Sequence, residues 1–188
     1  MKTQRRTLFY LLLMGLLAAG CYLVSSGALA EDTPSGSSQE VNQLLSRVKT
    51  EAIALERDCD EIATWAGARQ LSWQSHAQKL ELIREHVNEA GRLLKQLHEA
   101  RDTASPWQQQ AIDRIYPLLK ELADNTEGMI NHFNDKKSTF HLSDEYGDYA
   151  KAGYELAHDL AALVRDYVDY SHLEVDFHRL QEKLESKS

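Results

Sequence analysis

Four side chains of types that commonly bind metals fall where helical hairpins would bring them together. Residues that face each other across an antiparallel hairpin have numbers that add to a constant set by the turn. This rule places three of the four side chains in one layer at an end of the bundle, and the fourth side chain in the loop above that layer. Thiolate and imidazole ligands together suit zinc or copper. The residues are Cys59, His76, His132 and, in the loop, His141.

A structural role is the simpler interpretation of the same four residues. Cys59 suits a small apolar core position, and His76 suits a hydrogen-bonded polar layer. The other two histidines are expected at solvated positions. We therefore predict no metal site, and a metal-binding or small-ligand-binding bundle is kept as the alternative.

The other patterns that mark cofactor-binding bundles are incomplete. A di-iron bundle needs Glu-x-x-His on each of two helices, and this chain has only Glu155 to His158, which helical spacing turns away from the apolar stripe. A b-type haem bundle needs axial ligands on separate helices, for which only Met129 and His76 lie on stripes. No Cys-x-x-Cys-His, Ser/His/Asp constellation or Gly-rich phosphate loop occurs, and the carboxylates are predicted on solvent faces. We expect no cofactor and no enzyme activity.

Tyrosine is concentrated in the last of the predicted helices. Its ring suits the edge of a core, with the hydroxyl group reaching water. Tyrosine is also enriched at recognition surfaces, so a ligand-binding or partner-binding face is the alternative to edge packing. The residues are Tyr146, Tyr149, Tyr154, Tyr167 and Tyr170.

The charge balance argues against two kinds of partner. The 188-residue chain has a net charge of −8. Without Lys2, Arg5 and Arg6, its remaining 18 basic residues face 29 acidic ones, a net charge of −11. Nucleic acids and anionic membrane surfaces both attract clustered lysine and arginine. We therefore expect neither as a partner.

Residues 1–30 have the ordered features of a secretory signal peptide. Basic residues precede an apolar run over Leu8–Ala19, and the small residues of Ala28–Ala30 suit signal peptidase. We predict cleavage after Ala30, with residues 31–38 as a flexible linker rich in Pro, Gly and Ser.

Two alternatives for this leader would tether the protein to a membrane. Leu17–Cys21 resembles a bacterial lipobox, in which the cysteine is lipidated. Thr7–Val24 is just long enough to remain as an uncleaved anchor. Every version exports the rest of the chain, so we expect a periplasmic or secreted protein.

After the linker, apolar residues recur at alternating spacings of three and four, the period of amphipathic helices. The first helix is predicted to start with the capping box Ser37 and Glu40 and to end before Gly67. The second is predicted to start near Ser72, with its apolar stripe beginning at Trp73, and to end near residue 103.

Two further helices complete the pattern. The third starts at Ser105, with Pro106 at the first helical position, and Pro117 is expected to kink it. The fourth starts near Ser143, and one apolar stripe is predicted to continue along it from Tyr146 to Leu184. Short connections favour an all-α, antiparallel up-down-up-down four-helix bundle over residues 37–188, with an extended C-terminal helix.

The fourth helix is predicted to outlast its neighbours and to leave an apolar stripe beyond the bundle. Three fates are open for this tail: a break near Ser171 with the tail folded back, pairing with a second copy or another protein, or fraying. The leading hypothesis is an exported, non-enzymatic module that acts by protein–protein contact through helix four. The tail residues are Leu173, Val175, Phe177, Leu180 and Leu184.

Overall fold

The computed structural model describes residues 36–66, 71–136, 139 and 143–186. In this part of the chain the elements are helical, without a strand. The predicted signal peptide, its cleavage site, the lipobox and anchor alternatives, Gly67 and His141 lie outside the described residues. The elements are α1 (Gly36–Trp65), α2 (Trp73–Glu99), a 3-10 turn (Arg101–Thr103), α3 (Pro106–Lys136) and α4 (Asp144–Glu185).

The four helices pack as a bundle, which confirms the all-α four-helix prediction. Helix α1 packs against α2 and α4, while α3 packs closely on α4 and more sparsely on α2. Each helix contributes one apolar stripe to a common core, so the burial of these stripes supplies most of the stabilising free energy. Fully buried members include Leu45, Leu55, Ile83, Ile115, Leu122 and Leu160.

The predicted starts of α2 and α3 are confirmed, and one glutamine links α3 to α1. Ser72 caps α2 by accepting a hydrogen bond from the backbone N–H of Ser75 at 3.2 Å. At α3, Gln108 Oε1 accepts from the backbone N–H of Ser105 at 2.9 Å, which is the glutamine half of a capping box. The buried Gln108 also donates through Nε2 to Ser38 O and to Asn42 Oδ1, both at 2.8 Å.

Two local predictions about helix starts are wrong. Helix α1 begins at Gly36, so Ser37 lies within its first turn and not at the cap position. Trp73 is 52% exposed, because it is the first residue of α2 and the buried row of that helix starts one turn later, at His76.

Helix α3 continues through Pro117.

Helix α4 runs unbroken for 42 residues. The break near Ser171, with the tail folded back, is therefore wrong. The physical reason is the lack of a helix breaker: neither glycine nor proline occurs after Gly153. The extended C-terminal helix is present. None of the helices in the described part of the chain combines the length and apolar character that a bilayer crossing requires.

Candidate functional site

A polar cluster is buried between α1 and α2, where the sequence predicted only apolar contacts. The Asp58 side chain is 1% exposed, and its Oδ1 accepts from Lys79 Nζ at 3.1 Å and from Arg57 Nε at 3.2 Å. Lys79 Nζ also contacts Glu61 Oε2 at 2.6 Å. The expectation that all carboxylates lie on solvent faces is thus wrong for Asp58, since a buried carboxylate is tolerated when cations and donors surround it.

A histidine extends this polar cluster along the same two helices. His86 Nδ1 lies 2.7 Å from Glu51 Oε2, and His86 Nε2 lies 3.6 Å from Asp58 Oδ2. The spacing of these residues in the sequence is a signal from which the cluster could have been predicted. The two acids are seven residues apart on α1, the lysine and histidine are seven apart on α2, and residues seven apart share a helix face.

Two side chains at this cluster, Lys79 and Cys59, have raised pKa values. Burial by itself would lower the pKa of Lys79, but hydrogen bonds and charge attraction from Glu61 and Asp58 outweigh it and raise that pKa. Burial, with a smaller contribution from the Asp58 charge, raises the pKa of Cys59 to about 12. The Cys59 thiol is therefore protonated at neutral pH, which makes it a poor nucleophile and a poor metal ligand.

Two histidines meet an aromatic group at one end of the core. His76 is fully buried, and its Nδ1 lies 3.0 Å from Tyr146 Oη. The ring of His132 stacks on the same tyrosine at 6.5 Å, and its Nδ1 lies 3.2 Å from Glu145 Oε2. Burial raises the pKa of Tyr146. The shared layer predicted for the two histidines is present, whereas the prediction that His132 is solvated is wrong, because its side chain is only 6% exposed.

The metal interpretation gains no support from this end of the core. Cys59 neighbours Asp58, while His76 contacts the ring and hydroxyl group of Tyr146 and His132 contacts Tyr146 and Glu145. Among the described residues, no group of three or more His, Cys, Asp and Glu side chains has an arrangement that could hold a metal ion. His158 is half exposed and pairs with Glu56 Oε1 at 2.7 Å, on the outside of the bundle.

A shallow groove follows the sparsely packed contact between α2 and α3. Its volume is about 310 Å³, at the small end of the range for ligand pockets. Leu94 and Leu119 form part of its floor, and Tyr116 and Lys120 lie at its side. Gly91 widens the groove, since a Cβ atom at this position would meet no atom within 4 Å.

The tyrosine side chains of α4 become more exposed along the helix, and the last two of them contact a tryptophan. Tyr146 is buried, Tyr149, Tyr154 and Tyr167 are half-buried, and Tyr170 is 49% exposed. Trp107, near the start of α3, stacks on Tyr167 at 6.4 Å and meets Tyr170 edge-on at 5.1 Å. Trp107 Nε1 also donates to the carboxylate of Glu174 at 3.1 Å.

Beyond Ser171, the last buried residue of α4, the apolar residues form an exposed row. The row continues from Tyr170 at spacings of three, four, three and four, which is the a/d pattern of a coiled coil. We call it the outer seam: Tyr170 (49% exposed), Leu173 (69%), Phe177 (65%), Leu180 (60%) and Leu184 (70%).

The outer seam does not continue the buried stripe of α4, so the single stripe predicted from Tyr146 to Leu184 is wrong. At about 100° per residue, the seam lies roughly 160° around the helix from the row that ends at Val164, Val168 and Ser171. Val175 lies on the continuation of the buried row, apart from the other tail residues. Beyond Tyr170, which meets Trp107 of α3, the seam therefore faces away from the bundle, and no movement of the core is needed to reach it.

The chain matches no protein-family model, no curated protein sequence and no solved structure at a significant level. Its function must therefore be argued from the residues themselves.

Proposed function

We propose that this protein is an exported, non-enzymatic helical module that acts by protein–protein contact, with the outer seam of α4 as the contact surface. The observation that carries the proposal is the seam itself. Soluble proteins rarely leave a contiguous row of large apolar side chains in water, and such rows mark interaction sites. The heptad spacing favours a partner that also presents a helix.

The charge around the seam favours a protein over an anionic membrane. Between residues 173 and 186 the tail carries Glu174, Asp176, Glu182 and Glu185 against Arg179 and Lys183. An anionic lipid surface attracts segments rich in lysine and arginine, and this segment is acidic. Export is supported by the signal-peptide pattern of residues 1–30.

The proposal includes an antiparallel up-down-up-down order of the helices. Three cross-helix contacts between α1 and α2 support it: Arg47 with Glu89 at 3.3 Å, Glu51 with His86, and Asp58 with Lys79. Residue numbers rise on α1 as they fall on α2. The same trend relates α1 to α4, where Lys49 pairs with Asp169 at 3.2 Å and Glu56 pairs with His158.

Cysteine accessibility in cells that produce the protein tests whether the seam is covered. Leu180→Cys places a thiol on the seam, and Glu182→Cys places a matched thiol on the other side of the same exposed turn. We expect maleimide to modify Cys at 180 much more slowly than Cys at 182 in the cell, and both rapidly after denaturation. The peptide that contains each position is read by mass spectrometry, so other cysteines do not interfere. Equal rates in the cell would overturn the proposal.

A small-ligand function is the second candidate, and the groove between α2 and α3 is the observation that favours it. Its apolar floor and the Lys120 ammonium suit a small apolar molecule with an acidic group. Native mass spectrometry of the gently purified protein should then show a bound molecule, and Gly91→Leu, which fills the groove, should remove it. A ligand-free mass for the unaltered protein would exclude this candidate.

A further inference from the structure

We infer that the outer seam binds the outer seam of a second copy of this chain, with the two α4 helices antiparallel. This inference rests on the proposed function, because it names the partner of the same surface. The charges that flank the seam support this pairing.

An antiparallel pairing aligns the last four apolar residues of the seam in the two copies, and Tyr170 lies outside the paired layers. With Phe177 opposite Leu180 of the second copy, Leu173 lies opposite Leu184 of that copy, and two-fold symmetry repeats both pairs. Four apolar layers then stack over about 18 Å, at 1.5 Å per residue. Each phenylalanine meets a leucine, so no layer places two rings against each other.

The flanking charges favour this direction. In the antiparallel register, Asp176 lies beside Lys183 of the second copy, and symmetry makes this attraction twice. Glu174 lies beside the neutral Gln181 of the second copy. Residues that flank an a/d seam set the partner and the orientation of a coiled coil.

A parallel pairing of the same seams is less favourable. It would place Asp169 beside Glu174 of the second copy, twice, and like charges at these positions repel. It would also leave Asp176 beside a glutamine and remove the attraction to Lys183. In the described structure Asp176 pairs with Arg179 of its own helix, along the surface of the tail.

The interface is short, so association should depend on concentration. Four layers are fewer than a long-lived coiled coil uses, and the apolar surface of one tail is small beside the 1,200–2,000 Å² or so of a standard protein interface. We expect a monomer–dimer equilibrium that responds strongly to single charge changes.

Charge reversal on the full chain, read by sedimentation equilibrium, tests the inference. Asp176→Lys and Lys183→Glu each convert an attraction into a repulsion, twice per dimer. Each should raise the dimer dissociation constant about tenfold. The double variant should restore the original dissociation constant. An equimolar mixture of the two single variants should form mixed dimers, because both of its flanking pairs are again attractive.

The control is Asp135→Lys, which makes the same charge change at an exposed side chain near the C-terminal end of α3, whereas Trp107, which contacts the base of the α4 tail, lies at the N-terminal end of α3. It should leave the dissociation constant unchanged. Single variants that dimerise like the unaltered chain, or a chain that stays monomeric at every concentration, would overturn the inference. The proposed function would survive that outcome if the thiol at position 180 were still protected in the cell, since the seam would then bind a different protein.

Discussion

Asp58 lies in the interior despite its charge, because Lys79 and Arg57 both donate to its Oδ1, while the His86 ring lies 3.6 Å from Oδ2. A hydrophobicity pattern cannot reveal this arrangement, since it assigns every carboxylate to a solvent face. The pairing could have been found by a different signal. The numbers of two pairs, Asp58 with Lys79 and Glu51 with His86, add to the same value, as the hairpin rule requires.

Removing Lys79, the main cation beside Asp58, should show how much the burial of this carboxylate costs in free energy. Lys79→Met keeps most of the side-chain volume and leaves the carboxylate with Arg57 and His86 alone. We expect a loss of about 2–4 kcal/mol in the free energy of unfolding, measured by urea denaturation. Lys120→Met is the matched control, because it removes an exposed pair with Asp124 and should cause no measurable change. Equal effects of the two substitutions would contradict the role given to Asp58.

Alkaline pH should destabilise the protein through Cys59. Its pKa is about 12 in the folded chain, against about 8.5 for a free cysteine, so the folded state holds the proton more tightly. The resulting stability is fully present below about pH 8.5 and is lost as the pH rises towards 12. The pKa of Lys79 is also raised, and its contribution is lost at still higher pH, above its ordinary value of about 10.4.

The measurement is the free energy of unfolding of the unaltered chain and of Cys59→Ala between pH 8 and 10. Tyr146, whose pKa is also raised by burial, contributes towards the upper end of this range, but equally in both proteins, so the difference between their curves reports the thiol. We expect a fall of up to about 1.4 kcal/mol per pH unit in the unaltered chain. Cys59→Ala lacks the titrating group, so its curve should be flatter over this range. Parallel curves for the two proteins would show that the thiol does not titrate on unfolding.

Among the features of the helices, the starts of α2 and α3 were predicted most reliably from the sequence. Ser72 and the Ser105–Pro106 pair begin α2 and α3 as predicted, because caps act through a few local backbone groups. The course of the α4 apolar row was not predictable in the same way. Both faces of that helix carry large apolar residues, and only the ends of the neighbouring helices determine where the inner face stops being buried.

Two helix glycines give a matched test of how tightly the elements pack. A Cβ atom at Gly91 would meet open space, so Gly91→Ala should stabilise the protein by about 0.5–1 kcal/mol through helix propensity. At Gly153 the same atom would lie 2.9 Å from Asn125 Nδ2, which donates to Tyr149 O at 3.0 Å. Gly153→Ala should therefore give no net gain, because the loss of that bond, about 1 kcal/mol, offsets the same gain in helix propensity. Thermal denaturation measures both, and equal stabilisation by the two substitutions would contradict this view of α3–α4 packing.

For the whole molecule, the all-helical class and the bundle could be predicted because amphipathic periods of three and four leave few other solutions. The site could be predicted only in part. The excess length of α4 pointed to an apolar tail, yet the face that the tail presents depends on the ends of α1 and α3. Trp107 illustrates this dependence: it meets α4 at Tyr167, Tyr170 and Glu174, where the bundle ends and the outer seam begins.

Photo-crosslinking in producing cells shows whether the outer seam contacts protein. A photoreactive phenylalanine analogue replaces Phe177 on the seam or, as the control, Glu182 on the opposite side of the tail. We predict a covalent protein adduct from position 177 and none from position 182, with a mass of two chains if the partner is a second copy. The absence of any adduct from position 177, or equal adducts from both positions, would show that the outer seam is not a protein contact surface.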